Sequence, residues 1–392
     1  MTQAALQFDA HTLLLGLLGM VCGFLAYWGT RLEQRVDELK ARQCLLAEEM
    51  HKSYVPREDC RERTAQILGG LERADEKLDR IADAIRTGGA DMRGKRRSAS
   101  PGLPDASAGT PEERRERARQ DFNYFRRAYF PHYCLVGGDS RLHEWLDAEL
   151  PRMADAPEGV RLAIAAPRGE AKSTFVSLFF VLWAVLTGRK HYILIIADAL
   201  EQAASLLGAV KDELEFNETL KQDFPGAGKG HVWNVGTVVT PGNVKIQALG
   251  AGKRMRGLRH GPHRPDLIVL DDLENDENVD KPEQRDKLQS WLQKTVLNLG
   301  AADGSMDVVY VGTLLHYDSV LARTLRKPLW KARTFRSILR WPDRMDLWDA
   351  WESLLSSRGE AEARRFYRQH RAKMEAGAEV SWPASRPLYR LM

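Results

Sequence analysis

Cysteine is scarce in this chain of 392 residues. Its four cysteines, Cys22, Cys44, Cys60 and Cys134, are far apart, with no Cys-x-x-Cys pair and no Cys/His cluster. That argues against a zinc centre and a disulfide framework, and it fits a reducing compartment. A strong excess of charge is lacking too, since 58 basic and 54 acidic residues leave +4. The near-balance hides a split: residues 1–110 are neutral, 111–316 carry −3, and 317–392 carry +7. Any basic surface for nucleic acid is therefore local. With 29% charged and 43% hydrophobic residues, neither wholesale disorder nor a multi-span membrane protein describes the whole chain. The length suggests two to three units, at roughly 150 residues per domain.

Uncharged apolar stretches long enough to cross a bilayer are limited to one. Residues 10–30 contain no Asp, Glu, Lys or Arg. As a helix they would span about 31 Å, enough for a bilayer core of about 30 Å. Tyr27 and Trp28 stand at the interface end, and Arg31, Arg35, Lys40 and Arg42 follow. The expectation is a membrane-spanning helix within residues 1–30, with the bulk of the chain in the cytoplasm. A basic region before the apolar run, which a cleaved signal peptide needs, is missing. Residues 31–86 carry Leu32, Val36, Leu39, Leu46 and Met50, then Ile67, Leu71, Ala74, Leu78, Ile81 and Ile85, at spacings of three and four. This predicts a coiled-coil stalk and a homo-oligomer. Residues 87–111 lack periodicity and are rich in Gly, Ser, Ala and Pro, as in a flexible linker.

From residue 112 to 340 short apolar runs alternate with helical stretches. Strands are expected at 160–166, 192–197, 267–270 and 308–311, and helices at 173–186, 200–216 and 282–299. A hairpin is expected from 232–239 and 244–249, turning at Pro241-Gly242-Asn243. The alternation predicts an α/β domain with a mostly parallel sheet covered on both faces. Residues 341–392 read as amphipathic helix, and no further β/α unit with paired Asp/Glu follows.

The strongest local signal is VRLAIAAPRGEAKSTFVSLFF, a buried strand, a tight loop and then a helix opened by Lys172-Ser173-Thr174. That is the context of a P-loop, where backbone N–H groups and the helix N-terminus face phosphate oxygens. In this pattern Lys172 reaches the β/γ-phosphates, Ser173 ligates Mg²⁺, and Thr174 supports the helix or touches phosphate. The general pattern asks for glycine at 166 and 171; this chain has alanine at both, with Gly169 inside the loop. A second signal is RPDLIVLDDLEND, an apolar strand ending in carboxylates. Asp271 is placed to hold Mg²⁺, and Asp272 or Glu274 to orient the attacking water. DVVYVGTLLH ends in Gly312-Thr313, a candidate γ-phosphate sensor. Arg168 and Arg256 are candidates for stabilising charge on the transferred phosphoryl group. The segment Lys253, Arg254, Arg256, Arg259, Arg264 could equally track a DNA backbone.

The motifs APRGEAKST, RPDLIVLDDLEND and VGTLLH, in that order, make residues 120–392 resemble the ATPase half of the large terminase subunit of tailed bacteriophages. The Ala-Pro-Arg-Gly loop is typical of that family. The resemblance implies an additional-strand P-loop ATPase, often a pentameric ring, that uses ATP and Mg²⁺ to pump double-stranded DNA through a portal into a procapsid. By the same resemblance its partners are the phage portal and the small terminase subunit. Lys172 and Ser173 would bind ATP·Mg²⁺ along with Arg168, Gly169 and Thr174. Asp271 would hold the metal, Asp272 would stand at the catalytic carboxylate position, and Gly312-Thr313 would be the coupling motif. The chain departs from the family in two ways. Residues 341–392 offer no nuclease domain, and residues 1–110 are foreign to the family. The expected location is the host bacterial cytoplasm, with the N-terminal helix in the inner membrane. Two other readings stay open: a membrane-tethered oligomeric scaffold with a degenerate nucleotide site, and another P-loop motor on nucleic acid.

Overall fold

The computed structural model describes residues 109–134 and 137–392. The expected membrane helix, coiled coil and most of the linker lie outside the described residues. Among the described residues no helix is long and apolar enough to cross a membrane.

The centre is an eight-stranded, mostly parallel sheet. Its strands are β1 (Arg161–Ala165), β2 (Tyr192–Ala197), β3 (Val232–Trp233), β4 (Thr237–Val239), β5 (Lys245–Gly250), β6 (Leu267–Asp271), β7 (Asp307–Gly312) and β8 (Lys331–Thr334), in the order β3-β4-β5-β2-β6-β7-β1-β8. Strands β5, β2, β6, β7, β1 and β8 run parallel; β4 is antiparallel to both β5 and β3. Near-continuous runs such as LIVLD and YILIIA pack on both faces. Leu162 and Ile164 of β1 point into one core and Ala163 and Ala165 into the other, as the two-residue period of a strand requires.

One face is covered by α1 (Pro111–Gln120), α2 (Phe122–Tyr129), α3 (Arg141–Ala154), the helix after β1, and α5 (Leu200–Phe216). The helix after β1 begins as π-helical turns over Thr174–Phe180 and continues as α4 (Val181–Leu186). Residues Phe175–Val185 are all buried, which explains why this stretch is apolar all round. A short α6 (Glu218–Asp223) follows α5. The buried Asp223 carboxylate accepts from Arg114 Nε at 2.7 Å and from Tyr129 Oη at 2.7 Å, and so ties α6 to α1 and α2. Helices α7 (Asp276–Val279), α8 (Pro282–Lys294) and α9 (Val320–Leu325) lie between β6 and β8, and α8 and α9 pack on the opposite face.

Three local expectations differ from the structure. The arm expected at 232–239 is broken into β3 and β4, because Asn234 Oδ1 accepts from the N–H groups of Gly236 and Thr237 and forms a turn between them. The helix expected to Leu299 stops at Lys294 and tightens into a 3₁₀ turn at Val296–Asn298. Strand β8 has no counterpart in the sequence reading, since KART is exposed along its whole length and carries no apolar alternation. It is held instead by backbone pairing to β1 and by Lys331 reaching buried Glu149 of α3.

Beyond the sheet, α10 (Met345–Arg358) and α11 (Glu360–Glu375) form a helical hairpin around Trp348, Trp351, Ala363, Met374 and Leu388. Its base is closed by β9 (Ile338–Arg340) against β10 (Glu379–Val380).

Trp183 is fully buried, donates from Nε1 to the Ala118 carbonyl at 2.8 Å, and packs on Phe122. Trp183→Ala is expected to cost about 3–5 kcal/mol of stability, read as a lower urea midpoint, with Trp183→Phe losing less.

Candidate nucleotide site

The parallel strands end together. Ala165 of β1 is in register with Gly312 of β7, and Asp271 of β6 is in register with Ala197 of β2. The loops after β1, β6 and β7 therefore leave one edge of the sheet side by side. A sheet of this type binds its ligands outside the carboxyl ends of its strands.

The loop after β1 closes on itself. Lys172 Nζ donates to the Pro167 carbonyl at 3.1 Å and to Thr313 Oγ1 at 2.9 Å. Gly169 has φ +81° and Ala171 φ +54°. Of the two alanines standing where the general pattern has glycine, only Ala171 takes the left-handed conformation. That strain costs on the order of 1–2 kcal/mol. Ala166 is an ordinary buried strand end, with its N–H on the Gly312 carbonyl at 3.0 Å. Lys172 is buried, and desolvation lowers its pKa against the opposing pull of Asp272, Asp271 and Glu170.

Asp271 is the other fixed point. It is 1% exposed, and its two oxygens accept from Ser173 Oγ at 2.9 Å and from Ser177 Oγ. Burial pushes its carboxyl up to about 6, the neighbouring Asp272 charge adds to that, and the serine hydrogen bonds and Lys172 oppose it. Asp272 has φ +44° and is held by its N–H on the Val311 carbonyl at 3.0 Å. Its Oδ1 accepts from Thr313 N at 3.0 Å. A Cβ at Gly312 would stand 3.2 Å from that oxygen and 3.1 Å from Leu321 Cδ2, which leaves little room for any side chain there.

The structure thus brings Lys172, Ser173, Asp271, Asp272 and Thr313 together. Thr174 starts the π-helical turns just behind Ser173. Arg168 stands at the loop's exposed rim, with Nη2 3.5 Å from Asp276 Oδ2, and both partners are largely in solvent. Glu274 is turned away: Oε1 accepts from Val320 N at 2.6 Å, and Oε2 accepts from Leu321 N at 3.0 Å and from Tyr310 Oη at 3.3 Å. It caps the start of α9. Arg256 is exposed and makes no hydrogen bond or ion pair among the described residues.

Sequence reasoning missed Ser177, His143 and Glu170. Ser177 had a signal, a lone hydroxyl one helical turn after Ser173 in an apolar run. His143 of α3 lies 3.0 Å through Nε2 from the Glu170 carbonyl and stacks on Phe175. Nothing local marks it, because α3 ends before β1 begins.

No family model matches the chain, and no curated protein matches it. Among solved structures it is similar to the large terminase ATPase domain of Thermus phage P74-26. The identity is 15%, covering 60% of this chain and 92% of that one, with a TM-score of 0.30. It is also similar to an arginine-to-alanine mutant of the same domain, at 14% identity, 59% and 90% coverage and a TM-score of 0.27.

Asp271 supplies a pH test. Its folded pKa near 6 lies above the ordinary 3.8, so the protonated form is favoured in the fold. The associated stability is present below about pH 4 and lost as pH rises through 6. Without divalent cation, the stability of the chain minus that of Asp271→Asn is expected to fall by on the order of 3 kcal/mol between pH 4 and 7. Urea unfolding across that range checks it.

Proposed function

We propose that this chain is an ATP-hydrolysing motor subunit of the terminase large-subunit kind, moving double-stranded DNA into a procapsid. One observation carries the reading. Lys172, Ser173, Asp271, Asp272 and Thr313, spread over more than a hundred residues of sequence, meet on three adjacent loops at the carboxyl edge of one parallel sheet. The insertion of β7 between β1 and β6 supports the additional-strand form of the P-loop fold. The step from nucleotide hydrolysis to DNA packaging rests on the resemblance of the three motifs.

The donor set fits Mg²⁺. Ser173 Oγ and the Asp271 carboxylate are hard oxygen ligands 2.9 Å apart. A buried carboxyl that resists ionisation is one whose charge a divalent cation would stabilise. When bound with nucleotide, Mg²⁺ would neutralise charge on the phosphate oxygens. Lys172 and the loop N–H groups would hold the β/γ-phosphates. Asp272 is the residue to orient the attacking water: one oxygen is fixed by Thr313 N and the other makes no hydrogen bond among the described residues. Glu274 has both oxygens engaged at α9 and is the weaker candidate. Thr313 touches Lys172 through its hydroxyl and Asp272 through its N–H, so a change at the terminal phosphate would reach β7 directly.

The strain at Ala171 is the feature that favours a scaffold with a degenerate site. Against it stands the left-handed turn itself, kept despite the alanine. The basic residues Lys253, Arg254 and Arg256 are exposed just after β5, at the same edge of the sheet, and would grip the DNA backbone, whereas Arg259 and Arg264 lie towards the amino edge, where His260 meets Asn243 and His263 stacks on His191. The wider proposal is a homo-oligomer in the host bacterial cytoplasm, working with a portal and a small terminase subunit and tethered to the inner membrane by residues 10–30. DNA cleavage is not assigned to residues 341–392, whose fold is the helical hairpin.

The full chain is expected to hydrolyse ATP with Mg²⁺, faster with double-stranded DNA, and Lys172→Ala to lose about 100-fold or more. Asp272→Asn should lose turnover while keeping ATP binding. Absence of hydrolysis by the unmodified chain, with DNA and Mg²⁺ present, sinks the enzyme claim. Strand separation without procapsid filling would instead point to a helicase-like motor.

A further inference from the structure

Within the last dozen residues, the turn from Trp382 to Arg386 lies beside the phosphate loop. Trp382 donates from Nε1 to the Gly138 carbonyl at 3.1 Å and sets its ring edge-on to His143, with centroids 4.7 Å apart. A turn then follows, with Arg386 N on the Trp382 carbonyl at 2.8 Å. This turn puts the Arg386 guanidinium over Gly169. A Cβ added there would fall 2.2 Å from Nη2 and 2.8 Å from Cζ. Glycine is required at 169 by its φ of +81°, and the absence of a side chain there lets the arginine tip rest on the loop backbone.

Arg386 is half-buried, and its guanidinium makes no hydrogen bond or ion pair among the described residues. Its five N–H donors are uncommitted. Beside it Glu170 is 1% exposed, and both carboxylate oxygens lack a hydrogen-bond partner. Burial pushes its pKa up, and His143, the nearby Ser140 hydroxyl, Arg386 and Lys172 oppose that push, although the Ser140 hydroxyl is not in hydrogen-bond geometry with either oxygen. A free guanidinium and an unsatisfied buried carboxylate thus flank one glycine of a phosphate loop. The cationic fork is uncommitted, since Glu170 interacts with it through charge alone and makes no ion pair with it.

We propose that Arg386 is a phosphate ligand of this nucleotide site, supplied by the C-terminal segment of the same chain, so that nucleotide binding tightens residues 381–392 on the loop they already touch. The proposal rests on the reading of residues 166–174 as a phosphate loop and adds a residue to it. Glu170, next to Gly169, attracts the guanidinium through charge without pairing to it. Trp382 and His143 set where the segment pivots. Because the same segment contributes Leu388 to the core of the α10–α11 hairpin, the hairpin and the nucleotide are joined through one arginine.

The test uses the full chain with Mg²⁺ and ATPγS, comparing the unmodified protein with Arg386→Ala and Arg386→Lys and with Lys172→Ala as the control without binding. Arg386→Ala is expected to weaken binding about tenfold or more, and Arg386→Lys to recover part of it, as for a charged hydrogen bond to phosphate. Backbone hydrogen exchange in residues 381–392 should slow with nucleotide in the unmodified chain and stay unchanged by nucleotide in Arg386→Ala. If the unmodified chain binds ATPγS but both variants bind it within twofold of that affinity, the arginine proposal falls and the site stands. Tighter binding in Arg386→Ala would show that the guanidinium blocks the loop, and also overturns it. No binding by the unmodified chain removes the phosphate-loop reading and this proposal together.

Discussion

A single buried carboxylate organises the site. Asp271 ends β6 with almost no solvent contact, and the two hydroxyls that satisfy it come one helical turn apart from the helix after β1. A lone carboxylate in such a place costs several kcal/mol unless it is hydrogen-bonded or protonated. The strand and the helix are therefore held at the spacing at which Ser173 and Ser177 both reach it. That spacing fixes where the loop between β1 and the helix must stand, and with it Lys172.

The second constraint is the strand inserted between β1 and β6. Because β7 lies there, Thr313 emerges between Lys172 on one side and Asp272 on the other and bonds to both. Two left-handed residues, Ala171 and Asp272, are the local cost of bringing the loops this close. Strained, non-glycine backbone at both ends of one hydrogen-bonded chain is what a preorganised phosphate site would carry. A loop that only connected a strand to a helix would have no such requirement.

Much of this was legible in the sequence, and for definite reasons. YILIIA and LEQAASLLGAVKDELEF matched their elements at both ends, because a short β-branched apolar run suits a buried strand and a three-and-four spacing over 17 residues suits a helix. Lys172, Ser173 and the pair Asp271-Asp272 were legible as candidates because phosphate and metal chemistry would need those groups at the end of a strand or the start of a helix, and the structure brings them together. KART was missed because an exposed edge strand is held by its neighbour's backbone and has no pattern of its own. Glu274 stood as an alternative to Asp272 because three carboxylates within four residues cannot be told apart until one is seen capping a helix 46 residues away.

The sequence alone determined the alternation of elements, the strand–loop–helix around Lys172 and the carboxylates at the end of β6. These depend on local periodicity and on residue types within a few positions of one another. Only the tertiary structure decided which loops meet, that Ala171 is strained while Ala166 is not, and that His143 and Arg386 reach Gly169 and Glu170 from opposite sides in sequence. Those relations arise where separate elements pack, and packing selects partners by distance in space, which no spacing along the chain encodes.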